Sequence, residues 1–116
     1  MNNRIEYKFK DPESSTYLYA LNEYAEKYRL DWLESLETAS VISINLDEED
    51  RYVGVDEFTR TAIEKGYTII IFDITHAIAK VIHHLRYSDI LEDHEYEEIS
   101  DLYATKLIFA KKPINE

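Results

Sequence analysis

The most apolar stretch of the chain runs from Tyr67 to Ile74 and reads YTIIIFDI, with three consecutive isoleucines at its centre. β-Branched residues favour strands, and a short unbroken apolar run is typical of a strand that is buried on both faces. Gly66, directly before it, suits the left-handed conformation that ends many helices. We therefore predict a central strand over about residues 67–74.

The segment before the central strand is predicted to form a hairpin and a short helix. Residues 41–46 place isoleucine or leucine at every second position, and the polar residues 47–50 follow. Because residues 51–55 (RYVGV) are typical of a returning strand, we predict a β-hairpin over about residues 41–55. Asp56 is a suitable N-cap for a short helix that continues to Lys65.

The N-terminal third is predicted to contain a strand and one long helix. Residues 4–10 alternate between apolar and charged side chains, which is the period of a half-buried strand. Asp11 and Pro12 fit the N-cap and the first position of a helix, and apolar residues then recur every three or four positions. The prediction is a helix over about residues 12–38.

The C-terminal part is predicted to be mainly helical. Asp73 or Thr75 can cap a helix whose apolar residues recur at helical spacing as far as a break at Ser88. Residues 92–98 are predicted to lead into a further helical stretch, whereas residues 105–112 fit either a last strand or its continuation. The expected fold is a single α+β domain over residues 1–116. In it, a small mixed sheet packs against the long N-terminal helix and the C-terminal helices.

Composition excludes several classes of protein. The chain of 116 residues has no cysteine, which excludes a disulfide framework and a thiolate zinc site. No apolar run approaches the roughly 20 residues of a membrane helix, and the N-terminus lacks the apolar segment of a signal peptide. Because 45% of the residues are hydrophobic, disorder is disfavoured despite the charge. We expect a soluble cytoplasmic protein with no membrane partner.

The chain is strongly acidic, with 24 aspartate and glutamate residues, 13 lysine and arginine residues, and a formal net charge of −11. The acids concentrate on the predicted long helix, in residues 47–50 and in residues 89–98. Such clustering costs stability through self-repulsion, and solubility is one explanation for it. A basic partner is the other, because acidic patches steer association with the positive surfaces of nucleic-acid-binding proteins. The same charge disfavours direct binding of nucleic acid.

Ten tyrosines accompany the charge, and tyrosine is enriched at protein interfaces. Tyr52 follows the second acidic segment, and Tyr87 and Tyr96 flank the third. A tyrosine exposed among carboxylates suits an arginine-rich partner. The predicted partner-binding residues are therefore Asp47, Glu48, Glu49, Asp50, Tyr52, Tyr87, Asp89, Glu92, Asp93, Glu95, Tyr96, Glu97 and Glu98.

Motifs for catalysis or metal binding are weak. The adjacent His83 and His84 point about 100° apart on a helix and cannot both face one metal ion. A site from His84, His94 and a nearby acid is conceivable, but no spacing with metal specificity occurs. Asp73 could serve as a general acid or base with His76 and His84, although helix capping explains it better. We predict no enzyme activity, no metal site and no cofactor.

In size, acidity and tyrosine content the chain resembles small inhibitor proteins. That class includes immunity proteins of nuclease toxins and phage anti-restriction or anti-CRISPR proteins, several of which mimic nucleic acid. The resemblance is one of composition over the whole chain and assigns no residues. It implies an inhibitor that occludes a basic nucleic-acid-binding or nucleic-acid-cleaving protein. The alternative is a non-enzymatic interaction module that forms a homodimer through the long helix, with the acidity serving solubility only.

Overall fold

The described residues form five strands and three helices, and they comprise residues 8–10, 40–100 and 105–112 of a computed structural model. In chain order the elements are β1 (Phe9–Lys10), β2 (Val41–Asn45), α1 (Tyr52–Glu64), β3 (Ile69–Asp73), α2 (Ala79–Tyr87), α3 (Asp89–Asp93), β4 (Tyr96–Glu98) and β5 (Lys106–Lys111). The predicted long helix over residues 12–38 and residues 4–7 of the first predicted strand lie outside the described residues.

β3 lies at the centre of the sheet, whose strand order is β1-β2-β3-β5-β4. It pairs in parallel with β2 and antiparallel with β5. Every residue from Ile69 to Phe72 is at most 2% exposed, so side chains on both faces of the strand are buried. The predicted central strand is therefore confirmed.

The predicted hairpin over residues 41–55 is wrong. Only its first strand forms, as β2, and this strand pairs with β1 and β3. Residues 52–55 instead open α1, because Val55, Phe58 and Ala62 recur at helical spacing and all three are buried. Parallel strands also need a crossover connection, which α1 supplies between β2 and β3. The helix thus begins one turn before the predicted start at Asp56.

The end of α1 agrees with the prediction. The N–H of Gly66 donates to the carbonyl of Ile63 at 3.0 Å, and Gly66 has φ of +84°. A residue with a Cβ is strained in this left-handed conformation, whereas glycine is not. The helix therefore stops here, and the chain turns into β3.

Two helices follow β3 along the chain. α2 buries Val81 and Leu85 and ends at Tyr87, which confirms the predicted break at Ser88. The Ser88 hydroxyl accepts a hydrogen bond from the N–H of Ile90 at 3.3 Å and so caps the short α3.

Residues 96–98 form a strand, so the prediction that residues 92–98 lead into a helical stretch is wrong. Residues 101–104 of that predicted stretch lie outside the described residues. Glu95 has φ of 66°, a left-handed conformation that a continuing α-helix cannot contain. Tyr96 then enters the core, and β4 pairs antiparallel with β5. Of the two alternatives for residues 105–112, the structure confirms the strand.

One apolar core joins the helices to the sheet. Buried side chains of β2, β3, β4, β5 and all three described helices belong to a single cluster. The prediction of an α+β fold is confirmed at this coarse level, and the single domain over residues 1–116 remains a prediction. Within residues 8–10, 40–100 and 105–112, no helix is long and apolar enough to cross a membrane.

Candidate functional site

The acidic segment at residues 47–50 is a loop after β2, and two of its four carboxylates are used inside the protein. The Lys8 ammonium donates to Asp47 Oδ2 at 2.5 Å and to Asp50 Oδ2 at 2.9 Å. Asp50 is completely buried, and its Oδ2 also accepts the N–H of Asp47 at 2.8 Å. The predicted surface position of Asp50 is therefore wrong, because its carboxylate organises the loop from within.

The same contacts shift the pKa values of Asp47 and Lys8. The hydrogen bond from Lys8 lowers the pKa of Asp47, against a smaller opposing effect of burial. Burial works against the charged form of Lys8, but its hydrogen bonds to Asp47 and Asp50 outweigh that and raise the pKa of Lys8. The ammonium and the Asp47 carboxylate are both charged at neutral pH.

The other two carboxylates of the loop face solvent. Arg51 Nη1 donates to the carbonyls of Glu48 at 2.5 Å and Asp50 at 3.1 Å, and the N–H of Glu49 donates to Asp47 Oδ1 at 2.9 Å. These bonds fix the loop backbone while the side chains of Glu48 and Glu49 are exposed. The loop therefore presents two negative charges on a constrained backbone.

The second acidic cluster lies on α3, the following turn and β4. Glu98 is half-buried, and it pairs with Arg86 Nη2 at 3.2 Å and accepts the Ser100 hydroxyl at 2.6 Å. The remaining five acids of the cluster are exposed. Within the described part of the chain, no ion pair involves any of them. We call the two loop acids and these five the exposed carboxylates: Glu48, Glu49, Asp89, Glu92, Asp93, Glu95 and Glu97.

The three predicted tyrosines separate into two on the surface and one in the core. Tyr52 is 44% exposed and Tyr87 is 73% exposed. Tyr96 is only 4% exposed, and its hydroxyl donates to the carbonyl of Tyr67. Burial raises the pKa of Tyr96. Its predicted place on the partner-binding surface is therefore wrong, because it serves as a core residue.

Tyr52 and Tyr87 each contact a histidine ring of α2. The Tyr52 ring stacks on the His84 ring, with centroids 4.7 Å apart and planes at 25°. His84 Nε2 is 2.7 Å from Asp56 Oδ1, which holds the imidazole against α1. His83 and Tyr87 lie one turn apart on α2, and the centroids of their rings are 4.5 Å apart.

Helical geometry places these rings on one side of α2. At 100° per residue, Tyr87 projects between the directions of His83 and His84. Val53, next to Tyr52, is 81% exposed. We call this set of five residues the aromatic surface: Tyr52, Val53, His83, His84 and Tyr87.

The aromatic surface connects the two acidic segments. Tyr52 comes three residues after Glu49, and Tyr87 comes two residues before Asp89. The stack of Tyr52 on His84 therefore joins the acidic loop, through α1 and α2, to the start of the acidic α3. Val53, His83 and His84 are not among the predicted partner-binding residues. The strand predicted over residues 51–55 hides the helical position of Val53, and the two histidines gain their places only when α1 and α2 pack together.

Asp73, one of the residues considered for catalysis, has a structural role in the loop after β3. Asp73 Oδ1 accepts hydrogen bonds from the Thr75 N–H at 3.1 Å and from the Thr75 hydroxyl at 2.7 Å. The Asp73 carboxylate therefore stabilises a turn. The predicted capping of α2 by Asp73 or Thr75 is wrong, because Ile78 precedes α2 and makes no side-chain cap. Burial alone would raise the pKa of Asp73, but the bonds from Thr75 outweigh it and lower that pKa. His84 contacts Asp56 instead.

Metal ligands do not cluster in the described residues either, since no group of three histidine, aspartate or glutamate side chains there could hold an ion. His94 Nδ1 lies 2.8 Å from the carbonyl of Ile90 one turn before it. Comparison with protein-family models, with curated proteins and with solved structures finds no match to this chain.

Proposed function

We propose that the chain is a small acidic inhibitor that binds a basic nucleic-acid-binding or nucleic-acid-cleaving protein and occludes its nucleic-acid site. Two classes of protein fit this description: an immunity protein of a nuclease toxin, and an anti-restriction or anti-CRISPR protein. The proposal assigns the chain no enzyme activity of its own, and the inhibition is stoichiometric.

One observation carries the proposal: the described residues expose seven carboxylates in two acidic segments, and these segments adjoin the exposed Tyr52 and Tyr87 in the sequence. Within the described residues, Asp47, Asp56 and Glu98 contact cationic or histidine side chains, whereas the exposed carboxylates have no such contact. Their negative charge is therefore open to an external cation. A groove that binds phosphates presents lysine and arginine, and it attracts carboxylates for the same reason.

Electrostatic steering explains why the charge would be kept despite its cost. Complementary charge raises association rates and suppresses wrong partners, and both effects weaken as salt screens the surface. The exposed tyrosines add contact area that loses little side-chain entropy on binding. Charge then governs the encounter, and the aromatic surface contributes to the lifetime of the complex.

Capture from host lysate on the immobilised protein, with elution by a salt gradient, tests the proposal. We expect a basic nucleic-acid-processing protein to elute between about 0.2 and 1 M salt, where surface attraction is largely screened. The purified partner should lose its activity on nucleic acid at one equivalent of this protein. A captured protein that is acidic, or whose activity is unchanged by excess inhibitor, would contradict the proposal.

Charge variants make the test specific to this surface. Glu49→Gln and Glu92→Gln each remove one exposed carboxylate, and each should weaken binding to the captured partner. Glu64→Gln is the matched control, because Glu64 is also exposed but lies near the far end of α1 from Tyr52. Twelve residues of helix separate Glu64 from Tyr52, about 18 Å. Equal effects of all three variants would favour general charge over a defined site.

Self-association is the second candidate, and the exposed Tyr52, Val53 and Tyr87 are the observation that favours it. A dimer built on apolar contact should keep its affinity at high salt, which sedimentation velocity at several salt concentrations measures. A monomer at high protein concentration would exclude this candidate.

A further inference from the structure

The large apolar side chains that the described residues expose gather at one place. Tyr52, Val53 and Tyr87 are those side chains, and all three belong to the aromatic surface. Apart from the small Ala79, the other hydrophobic side chains of the described residues are buried or partly buried. An apolar group left open beside acidic segments indicates a contact surface.

The Tyr52 ring of this surface is held in place before any partner arrives. Tyr52 is stacked on His84, and Asp56 holds His84 at 2.7 Å. Tyr87 contacts His83 one turn away on the same helix. Rings that are already ordered lose little conformational entropy on binding, so a contact made here is efficient.

Charge decides what kind of partner fits. A second copy of this chain would bring another net charge of −11 against the first, which opposes a dimer at low salt. A cationic partner is instead attracted by Glu48 and Glu49 on one side and by Asp89 on the other. Lys80 lies two turns before Tyr87 on α2, about 10 Å away, whereas Asp89 follows Tyr87 by two residues at the start of α3.

Among cations, the arrangement favours arginine over lysine. A guanidinium group can stack flat on a tyrosine ring while its N–H groups bond a carboxylate in the same plane. An ammonium group is a compact, strongly hydrated charge, and it gains less from an aromatic face. Ordered rings with carboxylates at both ends therefore match arginine.

We propose that the aromatic surface binds arginine side chains of the basic partner and selects them over lysine. This inference rests on the proposed function, because it names the chemistry that the same surface recognises. Tyr52 and Tyr87 provide the stacking faces, and the exposed carboxylates beside them accept the guanidinium N–H groups. The position of the partner's arginines then sets the register of the complex.

Nona-arginine and nona-lysine peptides of equal charge test the proposal, with affinities measured by fluorescence anisotropy at about 50 mM salt, where screening is weak. Wild type should bind nona-arginine more tightly, by about two- to fivefold for each ring that stacks. Tyr52→Leu/Tyr87→Leu keeps apolar area at both positions but removes the rings. It should lower the arginine-to-lysine affinity ratio and leave the nona-lysine affinity nearly unchanged.

Two further variants separate this inference from the proposed function. Val53→Ala changes the same surface without touching a ring and should leave the affinity ratio as in wild type. Glu92→Gln/Glu95→Gln should weaken the binding of both peptides, because it removes two of the negative charges that attract them. Circular dichroism of each variant confirms that it is folded.

The outcomes are distinct. Binding of both peptides with the same ratio in wild type and in the double tyrosine variant would overturn the arginine proposal and leave charge-driven binding intact. No binding of either peptide by wild type would overturn both proposals. A ratio that falls only when the tyrosines are removed supports arginine selection.

Discussion

The contact of Lys8 with Asp47 and Asp50 gives the sharpest test of the structure. Lys8 is 6% exposed and Asp50 is fully buried, so this ion pair lies in the interior although it joins residues 42 positions apart. Removing one partner of a buried ion pair takes away its compensation of the remaining charge, and breaking such a pair costs about 3–5 kcal/mol. Lys8→Met keeps the length and most of the apolar stem of the side chain but removes the charge. We expect it to lower the free energy of unfolding by that amount.

Urea denaturation followed by circular dichroism measures this loss. With a denaturant slope of about 1–3 kcal/mol/M, the midpoint should fall by about 1–5 M. A loss of this size is a large share of the about 5–15 kcal/mol by which domains are stable. Lys8→Met should therefore be studied at low temperature or with a stabilising osmolyte.

A double-mutant cycle with Asp50→Asn isolates the pair. The amide keeps the shape of the carboxylate, and its oxygen can still accept the N–H of Asp47. Because the buried charge is gone, Lys8→Met should cost at least about 1 kcal/mol less in the Asp50→Asn background than in wild type. A Lys8→Met cost below about 1 kcal/mol, typical of surface ion pairs, would refute the buried geometry, as would additivity of the two changes.

Three further predictions concern pH, a hydrogen bond and a turn. The pKa of Asp47 is lowered from its ordinary 3.8, so its contribution to stability is present well above that value and is lost as pH falls through the lower folded-state pKa. The stability of Lys8→Met should therefore fall less steeply with acid over this range. Tyr96→Phe removes the hydrogen bond to the Tyr67 carbonyl and should lower the free energy of unfolding, measured in urea, by about 0.5–1.5 kcal/mol. Because burial raises the pKa of Tyr96, the variant should also lose a late step of the alkaline absorbance titration. Gly66→Ala should lower the free energy of unfolding by about 1 kcal/mol in thermal denaturation, because alanine is strained at a φ of +84°. The added Cβ meets no atom within 4 Å, so backbone strain is the cause. A neutral result would contradict the left-handed end of α1.

The centre of the fold was predictable because its pattern is local and strong. The run from Ile69 to Phe72 fits only a buried segment, and Gly66 limits the helix before it. Residues 51–55 were not predictable in the same way, because a few apolar residues fit period 2 and period 3.6 equally well. The helix is decided by Phe58 and Ala62 further along, whose burial depends on the parallel pairing of β2 with β3.

β4 was missed for a different physical reason. Glu97 and Glu98 are poor strand formers, so local propensity argues against the observed structure. The segment pairs because β5 offers an edge and because Tyr96 fits the core there. Tertiary context therefore overrides propensity at this site, and only the partner strand reveals it.

The sequence shows which acidic and aromatic residues could form the candidate site, but it does not show which of them are exposed. Nothing near Asp50 in the sequence indicates that Lys8, 42 positions away, lies at its carboxylate. Charged residues are rarely buried unless paired, and such pairing over long distances leaves no local pattern. The aromatic surface was partly hidden because Val53 and the two histidines gain their positions only when α1 and α2 pack together.

The structure also makes the two explanations of the acidity separable. If the acids served solubility alone, the position of a removed charge would not matter, because net charge governs that effect. Asp47 and Asp50 already depart from this expectation, since their charges hold the loop through Lys8. For the exposed carboxylates the two explanations diverge in the same experiment: Glu49→Gln and Glu64→Gln change net charge equally but lie at opposite ends of α1. A partner affinity that depends on which of these two residues is changed requires a defined contact surface, and solubility cannot account for it.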